Sequence, residues 1–307
     1  MKTILLFLSV FLSATLFGQS PYFSSGMEHL AQEEFQEAII DFTREIRINP
    51  NYADAYLNRG VSCHFLEKYQ EAIDDFNTAI KINPDYGKLY GGMIAETYYA
   101  RGTTYCHSGK YQEAITDITT AIKFNPDYSK AFYNRGIAYS KLGKYQEAID
   151  DYTRAIKINP DYADAYYNRG FSYYDLGKYQ EAITDYTTAI KFNPDYADSY
   201  INRGIAYQKL GKYQEAIDDY TRAIKINPDY ADAYYNRGLT YNNLGKYQEA
   251  IDDFTTMIYL NPNYADAYVS RGVAKEMLDI DDCSDYKKAC DLGASLGCQY
   301  YKEDGCN

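Results

Sequence analysis

The sequence predicts an all-α fold, an α-α superhelix in which antiparallel helix pairs stack into a solenoid. Three observations carry this. Asn-Pro pairs recur at Asn49-Pro50, Asn83-Pro84, Asn125-Pro126, Asn159-Pro160, Asn193-Pro194, Asn227-Pro228 and Asn261-Pro262, in steps of 34, 42, 34, 34, 34 and 34 residues. Between them, small and aromatic residues fall at helical spacing. Seven of the eight prolines occupy this one place in the period, so they punctuate helices instead of interrupting them. A fixed period of this size marks units that bury their apolar faces only against their neighbours.

The chain opens with "MKTILLFLSVFLSATLFGQS", one lysine ahead of an apolar run and then small and polar residues. This layout predicts a signal peptide over 1–18, cleaved after Gly18, and an exported protein that is periplasmic or secreted. No cysteine follows the apolar run to take a lipid anchor, and no later segment approaches membrane-spanning length, so no membrane insertion is expected. Seven units follow at 19–52, 53–86, 95–128, 129–162, 163–196, 197–230 and 231–264 within 19–264. An eight-residue insertion lies near 87–94, and 265–307 forms a degenerate eighth unit with a disulfide-rich cap.

The unit 163–196 shows the design, counting Ala163 as position 1. Tyr166, Gly170 and Tyr173 share one face of a first helix, and Ala182, Tyr186 and Ala189 share one face of a second. Asp161 is the expected N-cap, Gly177 ends the first helix and Pro194 ends the second. Gly170 and Ala182 are small where two helices cross, and the tyrosines fill the volume around them. That assigns most of the 38 tyrosines, in a chain with no tryptophan, to the core.

Large residue at 4, Gly at 8, Tyr at 11, Ala at 20, aromatic at 24, Ala at 27 and Pro at 32 together resemble the tetratricopeptide repeat (TPR) family. The match covers nearly the whole mature chain, and the first unit is the weakest, with His29 at position 11 and Glu45 at 27. The resemblance implies a non-enzymatic protein-protein interaction scaffold or adaptor, with the concave groove of the superhelix as its ligand surface. Helical geometry sends positions 2, 6, 9 and 13 of the first helix away from the packed face and toward that groove. The expected lining is Asp54, Asp164, Asp198, Asp232 and Asp266 at position 2, interrupted by Lys130, with Asn58, Asn134, Asn168, Asn202 and Asn236 at position 6.

Positions 12 and 13 vary most between units: His64-Phe65, Cys106-His107, Ser140-Lys141, Tyr174-Asp175, Gln208-Lys209 and Asn242-Asn243. Tyr174, Asp175, Gln208, Lys209 and Asn243 are therefore expected to read the partner. Some family members clamp a C-terminal carboxylate with Asn at 6 and cations nearby. Here position 5 holds Leu57, Tyr99, Tyr133, Tyr167, Ile201 and Tyr235, and position 2 is mostly acidic, so a neutral or basic protein or peptide partner is expected instead. With 43 acidic against 31 basic side chains and a net charge of −12, nucleic acid is excluded as a partner on electrostatic grounds.

Catalysis is not expected. Asp161, Asp164, Asn168 and Arg169 recur along an extended surface rather than converging once, and no phosphate loop, His-Glu-x-x-His or nucleophile elbow is present. No cofactor is expected. The alternative is a metal-binding or redox protein using Cys63/His64 and Cys106/His107, which flank the insertion. Gly91-Gly92 points to a loop or a break in that insertion, carried on the surface and bending or capping the groove locally.

At the C-terminus, Cys283, Cys290, Cys298 and Cys306 depart from the repeat. If 283–290 is helical, its two cysteines lie about 10 Å apart and cannot pair, which leaves two of the three possible connectivities. The Lys-Ala-Cys-Asp-Leu-Gly segment followed by Gly-Cys resembles the cysteine-containing Sel1-like repeats. That resemblance implies bridges from Cys290 to Cys298 and from Cys283 to Cys306, capping the last helices.

Overall fold

The structure, a computed structural model, describes residues 20–303. The expected signal peptide and Cys306 lie outside the described residues. All eighteen described elements are helices. They form two compact bodies, one ending at Lys144 and the other beginning at Tyr145. The first holds α1 (Pro21–Ala31), α2 (Phe35–Ile48), α3 (Ala53–Phe65), α4 (Tyr69–Ile82), α5 (Tyr86–Leu89), α6 (Gly91–His107), α7 (Tyr111–Phe124) and α8 (Ser129–Lys141). The second holds α9 (Tyr145–Ile158), α10 (Ala163–Asp175), α11 (Tyr179–Phe192), α12 (Ala197–Lys209), α13 (Tyr213–Ile226), α14 (Ala231–Asn243), α15 (Tyr247–Leu260), α16 (Ala265–Glu276), α17 (Cys283–Asp291) and α18 (Ser295–Glu303). Each body is a stack of antiparallel helix pairs, the all-α solenoid that the period predicts.

Local chemistry sets the turns. Gly177 takes a left-handed φ of +74°, and the Lys178 amide donates to the Tyr173 carbonyl at 2.9 Å, which closes the end of α10. Glu33, Glu67 and Asp279 adopt the same left-handed conformation without the freedom of glycine, at φ 63°, 59° and 55°, so the first two pairs and the last carry strain that the glycine turns between them avoid. Between pairs, the Asn227 side chain accepts from the Asp229 amide at 3.1 Å, and Asn83 and Asn125 do the same for Asp85 and Asp127. The expected cap at Asp161 is not formed. Tyr162 is the N-cap of α10 and makes no side-chain cap bond.

Position 24 is the centre of each pair. Phe42, Phe76, Ile118, Tyr152, Tyr186, Tyr220 and Phe254 are all buried there, and Tyr286 fills the same role in the last pair. A Cβ built on Gly170 would stand 3.0 Å from the Tyr186 ring and 3.3 Å from the Ala182 carbonyl oxygen. Tyr166 and Tyr173, expected in the core, are only half buried. They flank the guanidinium of Arg169, whose carbon lies 5.5 Å from the Tyr166 ring centre.

That arginine, at position 7, ties the two helices together in the repeats that carry it. Arg203 donates from Nε and Nη2 to both oxygens of Asp219 at 2.8 and 2.7 Å, and from Nη1 to Thr187 of the preceding repeat at 2.9 Å. Arg59, Arg101, Arg169 and Arg237 hold Asp75, Asp117, Asp185 and Asp253 in the same fork. Burial lifts the carboxyl of Asp219 above its ordinary range, although Arg203 pulls the other way, while the paired carboxylate keeps Arg203 charged against its own burial.

The insertion is on the surface only in its first half. Lys88 and Leu89 are exposed in the short α5 and the helix breaks at Tyr90, but Gly91 and Gly92 then open α6, and Met93, Ile94 and Ala95 are buried, so the second half lengthens a first helix and feeds the core. Tyr86, Met93 and Ile94 join one apolar cluster with Leu57, Cys63 and Phe76.

Two substitutions test this packing by urea unfolding. Arg203→Met leaves Asp219 buried and unpaired and is expected to cost about 3 kcal/mol; Arg203→Met with Asp219→Leu is expected to recover most of that. Gly170→Leu drives a side chain into the Tyr186 ring and is expected to cost roughly 1–3 kcal/mol, and a parent-like unfolding midpoint would contradict the crossing geometry.

Candidate functional site

In the second body, positions 2, 5, 6 and 9 of successive first helices fall on one stripe, because offsets of 3, 4 and 7 residues share a helical face. On α10, α12 and α14 this stripe brings Tyr167, Phe171, Asp198, Ile201, Asn202, Ile205, Asp232, Tyr235 and Asn236 around a cavity of about 510 Å³. Tyr230 and Tyr264, from the turns that follow α13 and α15, close its wall. Each of these turn tyrosines belongs to the Asn-Pro-x-Tyr sequence, so the segment that ends one repeat also supplies the groove.

The polar groups in the cavity are tied to one another. The Asn202 amide donates to the Tyr167 hydroxyl at 2.7 Å, and the Tyr230 hydroxyl donates to Asp198. The Asn236 amide turns back on the Asp232 carbonyl at 2.8 Å. Tyr167 packs at a tilt on Tyr196, ring centres 4.9 Å apart, and Tyr235 meets Tyr264 edge-on at 5.1 Å. Burial, with the Asp198 carboxylate behind it, pushes the Tyr167 hydroxyl up to about 12; burial also raises Tyr230 and Tyr235. These phenols stay protonated at neutral pH and act as hydrogen-bond donors and apolar surface.

The expected lining is thus brought together in part. Asp198, Asn202, Asp232 and Asn236 meet in the cavity. Asp164 and Asp266 are exposed, and Asn168 donates to the Asp164 carbonyl at 3.0 Å on α10. In the first body, Lys130 is exposed and the Asn134 amide donates to the Tyr99 hydroxyl at 2.6 Å, the same arrangement as Asn202 on Tyr167. Asp54 accepts from the Tyr86 hydroxyl. Asn58 corrects the expectation. It is buried and donates to the Asp54 carbonyl, in the repeat whose Leu57 packs under the insertion residues Met93 and Ile94.

Positions 12 and 13 separate by role. Tyr174 packs at 5.2 Å on Tyr179, and Gln208 accepts from the Tyr220 hydroxyl at 3.2 Å, so these two are held by their own helix pairs, whereas His64 and Asn242 at the same position reach Thr97 and Ser270 of the next repeat. Asp175, Lys209 and Asn243 at position 13 are exposed at helix ends and are not among the residues that line the cavity. What sequence reasoning missed is the aromatic part of the lining. The signal for it in the sequence is the 2-5-6-9 stripe, which includes the aromatic position 5, together with a Tyr at position 34 of every unit.

The two Cys-His pairs form no shared ligand set among the described residues. Cys63 is buried beside Glu71, and burial, then the carboxylates of Asp75 and Glu71, pushes its thiol up to about 11. His64 shares a hydrogen bond with Thr97 at 3.0 Å and His107 faces the Thr103 carbonyl at 2.8 Å; Cys63 and Cys106 are both free thiols. The one compact group with metal-ligand atoms among the described residues is Asp281, Asp282 and Cys283, and Cys283 is disulfide-bonded. Cys290 and Cys298 are bridged, with Cα atoms 4.4 Å apart, which joins α17 to α18.

Comparison with known proteins supports the repeat. The tetratricopeptide repeat profile matches residues 53–86, 129–162, 197–230 and 231–264; a related TPR profile matches 102–143 and 172–211, and another tetratricopeptide profile matches 151–184. The search of curated proteins finds no match. Among solved structures, a MamA protein is 27% identical over 57% of this chain and 96% of its own, with a TM-score of 0.53. YrrB, described as a TPR protein with an unusual peptide-binding site, is 24% identical over 60% of this chain and 97% of its own, with a TM-score of 0.53. PilF of Pseudomonas aeruginosa is 16% identical over 70% of this chain and 98% of its own, with a TM-score of 0.59. The last two establish likeness of fold alone.

His64 offers a pH test of the packing beneath the insertion. Burial lowers its pKa below 6.5, so its contribution to stability is full above that value and is lost as pH falls through the folded-state pKa. Between pH 7.5 and 5 the urea midpoint of the parent is expected to fall further than that of His64→Gln. Parallel curves would show that His64 titrates as it does in the unfolded chain.

Proposed function

The chain belongs to the tetratricopeptide repeat family, and we propose that it is a non-enzymatic scaffold holding an extended polypeptide in the aromatic groove of its second body. The observation that carries this is the repetition of one stripe, position 2-5-6-9, in register across α10, α12 and α14 around a single cavity. Successive repeats offer amides and hydroxyls at a constant interval, which suits the backbone of an extended segment. The tyrosine faces and Ile201 and Ile205 provide apolar contact for alternate side chains.

Charge selects within that class. Asp198 and Asp232 stand in the wall, in a protein of net charge −12, so neutral or basic segments are favoured and acidic ones are repelled. The tyrosines are displaced away from the range a proton-transfer group needs at neutral pH, which agrees with binding rather than catalysis. The apolar N-terminal run supports action outside the cytoplasm, in the periplasm or the medium, as part of the same reading.

The test is a displayed library of extended peptides screened against the purified protein. Lysine- and arginine-containing sequences are expected to be enriched over their glutamate counterparts. For an enriched peptide, Tyr167→Ala with Tyr235→Ala is expected to weaken binding at least tenfold, equivalent to about 1.4 kcal/mol, with unchanged helical circular dichroism. Equal affinity in parent and double variant would sink the groove as the binding surface.

A further inference from the structure

Position 27 closes the second helix of each repeat against the next, and a small or apolar residue stands there in six of seven units: Ala79, Ala121, Ala155, Ala189, Ala223 and Met257. The first repeat departs from this with Glu45, which is 1% exposed. One oxygen of its carboxylate, Oε1, accepts from the Asn49 amide at 2.6 Å. The other, Oε2, is buried and has no hydrogen-bond partner. Arg44, on the same helix, is turned to Asp41 instead. Packing does not demand a carboxylate here, and a buried one with an unmade bond costs stability unless something completes it.

Glu45 lines a cavity of about 550 Å³ with Ser20, Ile48, Asn49, Pro50 and Tyr52. The lining presents the Glu45 carboxylate together with an amide and a hydroxyl, which suits a donor-only group with several N–H bonds. Ile48 and Pro50 offer apolar surface along which an alkyl stem can lie. Burial, then the Asp54 and Glu45 carboxylates, pushes the Tyr52 hydroxyl up to about 12, in keeping with a negative local field.

We infer that this pocket is a second, separate binding site, which takes the ammonium or guanidinium group of a basic side chain from a partner polypeptide. It lies in the first repeat and shares no residue with the aromatic groove of the second body. The cation completes the open bond of Glu45, and the position-27 substitution that looks like a defect in the repeat becomes the recognition element.

The experiment follows the backbone amide NMR signals of Ser20, Asn49 and Tyr52 in the full chain as the cell processes it. It is titrated with n-butylammonium, with methylguanidinium and with butyltrimethylammonium, which has no N–H. Saturable shifts with one of the first two and none with the third are expected, and the better of the two identifies a lysine or an arginine as the natural source. Glu45→Gln is expected to weaken this binding at least tenfold. Glu45→Ala, which restores the residue of the other repeats, is expected to abolish it while raising the melting temperature. Tyr167→Ala with Tyr235→Ala is expected to leave it intact, which keeps this site distinguishable from the groove. No saturable shift in the parent, equal shifts with the trimethylated probe, or unchanged affinity in Glu45→Gln would overturn the inference.

Discussion

The central repeats depend on the fork of an arginine at position 7 around an aspartate at position 23. Arg203 reaches from α12 to Asp219 on α13 and, with its third nitrogen, back to Thr187 on α11. One side chain thereby joins the two helices of its own pair and the second helix of the pair before it. A lysine has one point of charge and no planar fork, so it could not make these three contacts together. The arginine side chains are about one-sixth exposed and the aspartates less. The pair therefore fixes geometry more than it adds net stability, because desolvation offsets much of its Coulomb gain.

The fork also decides what the groove contains. Successive helical residues are separated by about 100°, so anchoring position 7 against the second helix turns positions 5 and 6 to the other side. Tyr167 and Asn202 meet across the groove because Arg169 and Arg203 are each locked behind them. The end repeats show what happens when the fork is altered. In the first, Ser25 stands at position 7, and Asp41 is satisfied instead by the Ser25 hydroxyl, by His29 and by Arg44. In the last, Arg271 grips Asp285 across a connection two residues shorter, and Lys275 adds a second cation at 2.8 Å.

The fold was legible because its signals repeat. Seven Asn-Pro pairs, Gly at position 8 and Ala at position 20 each recur at one place in the period, with a single longer step of 42, so one unit can be checked against six others. The site was legible only in outline. Asp198 and Asn202 were identified by helical phase, but the aromatic wall was not. Tyr230 and Tyr264 come from turns, where no periodicity indicates a direction, and a tyrosine at position 5 looks like any other tyrosine in a chain that has 38. The insertion misled for a different reason. Glycine pairs are poor helix formers, yet Gly91 and Gly92 are carried into α6 because burying Met93 and Ile94 outweighs their propensity cost. Variation at positions 12 and 13 likewise had a structural meaning in part, since Tyr174 and Gln208 pack on their own second helices.

The sameness of the central repeats constrains what they can recognise. A lining in which Tyr167, Ile201 and Tyr235 occupy equivalent places, each followed by the same asparagine, offers every stretch of a bound segment the same surroundings. On the proposed reading such a surface would separate basic from acidic segments, but it would separate poorly among side chains of one class. Finer selectivity has to arise where the repeat is broken. In the first body the breaks are the insertion, whose Met93 and Ile94 pack with Leu57, and the carboxylate of Glu45 left with an open bond. Each body therefore stands by itself: the regular repeats of the second present one surface again and again, and the irregular ones of the first place groups that no other repeat has.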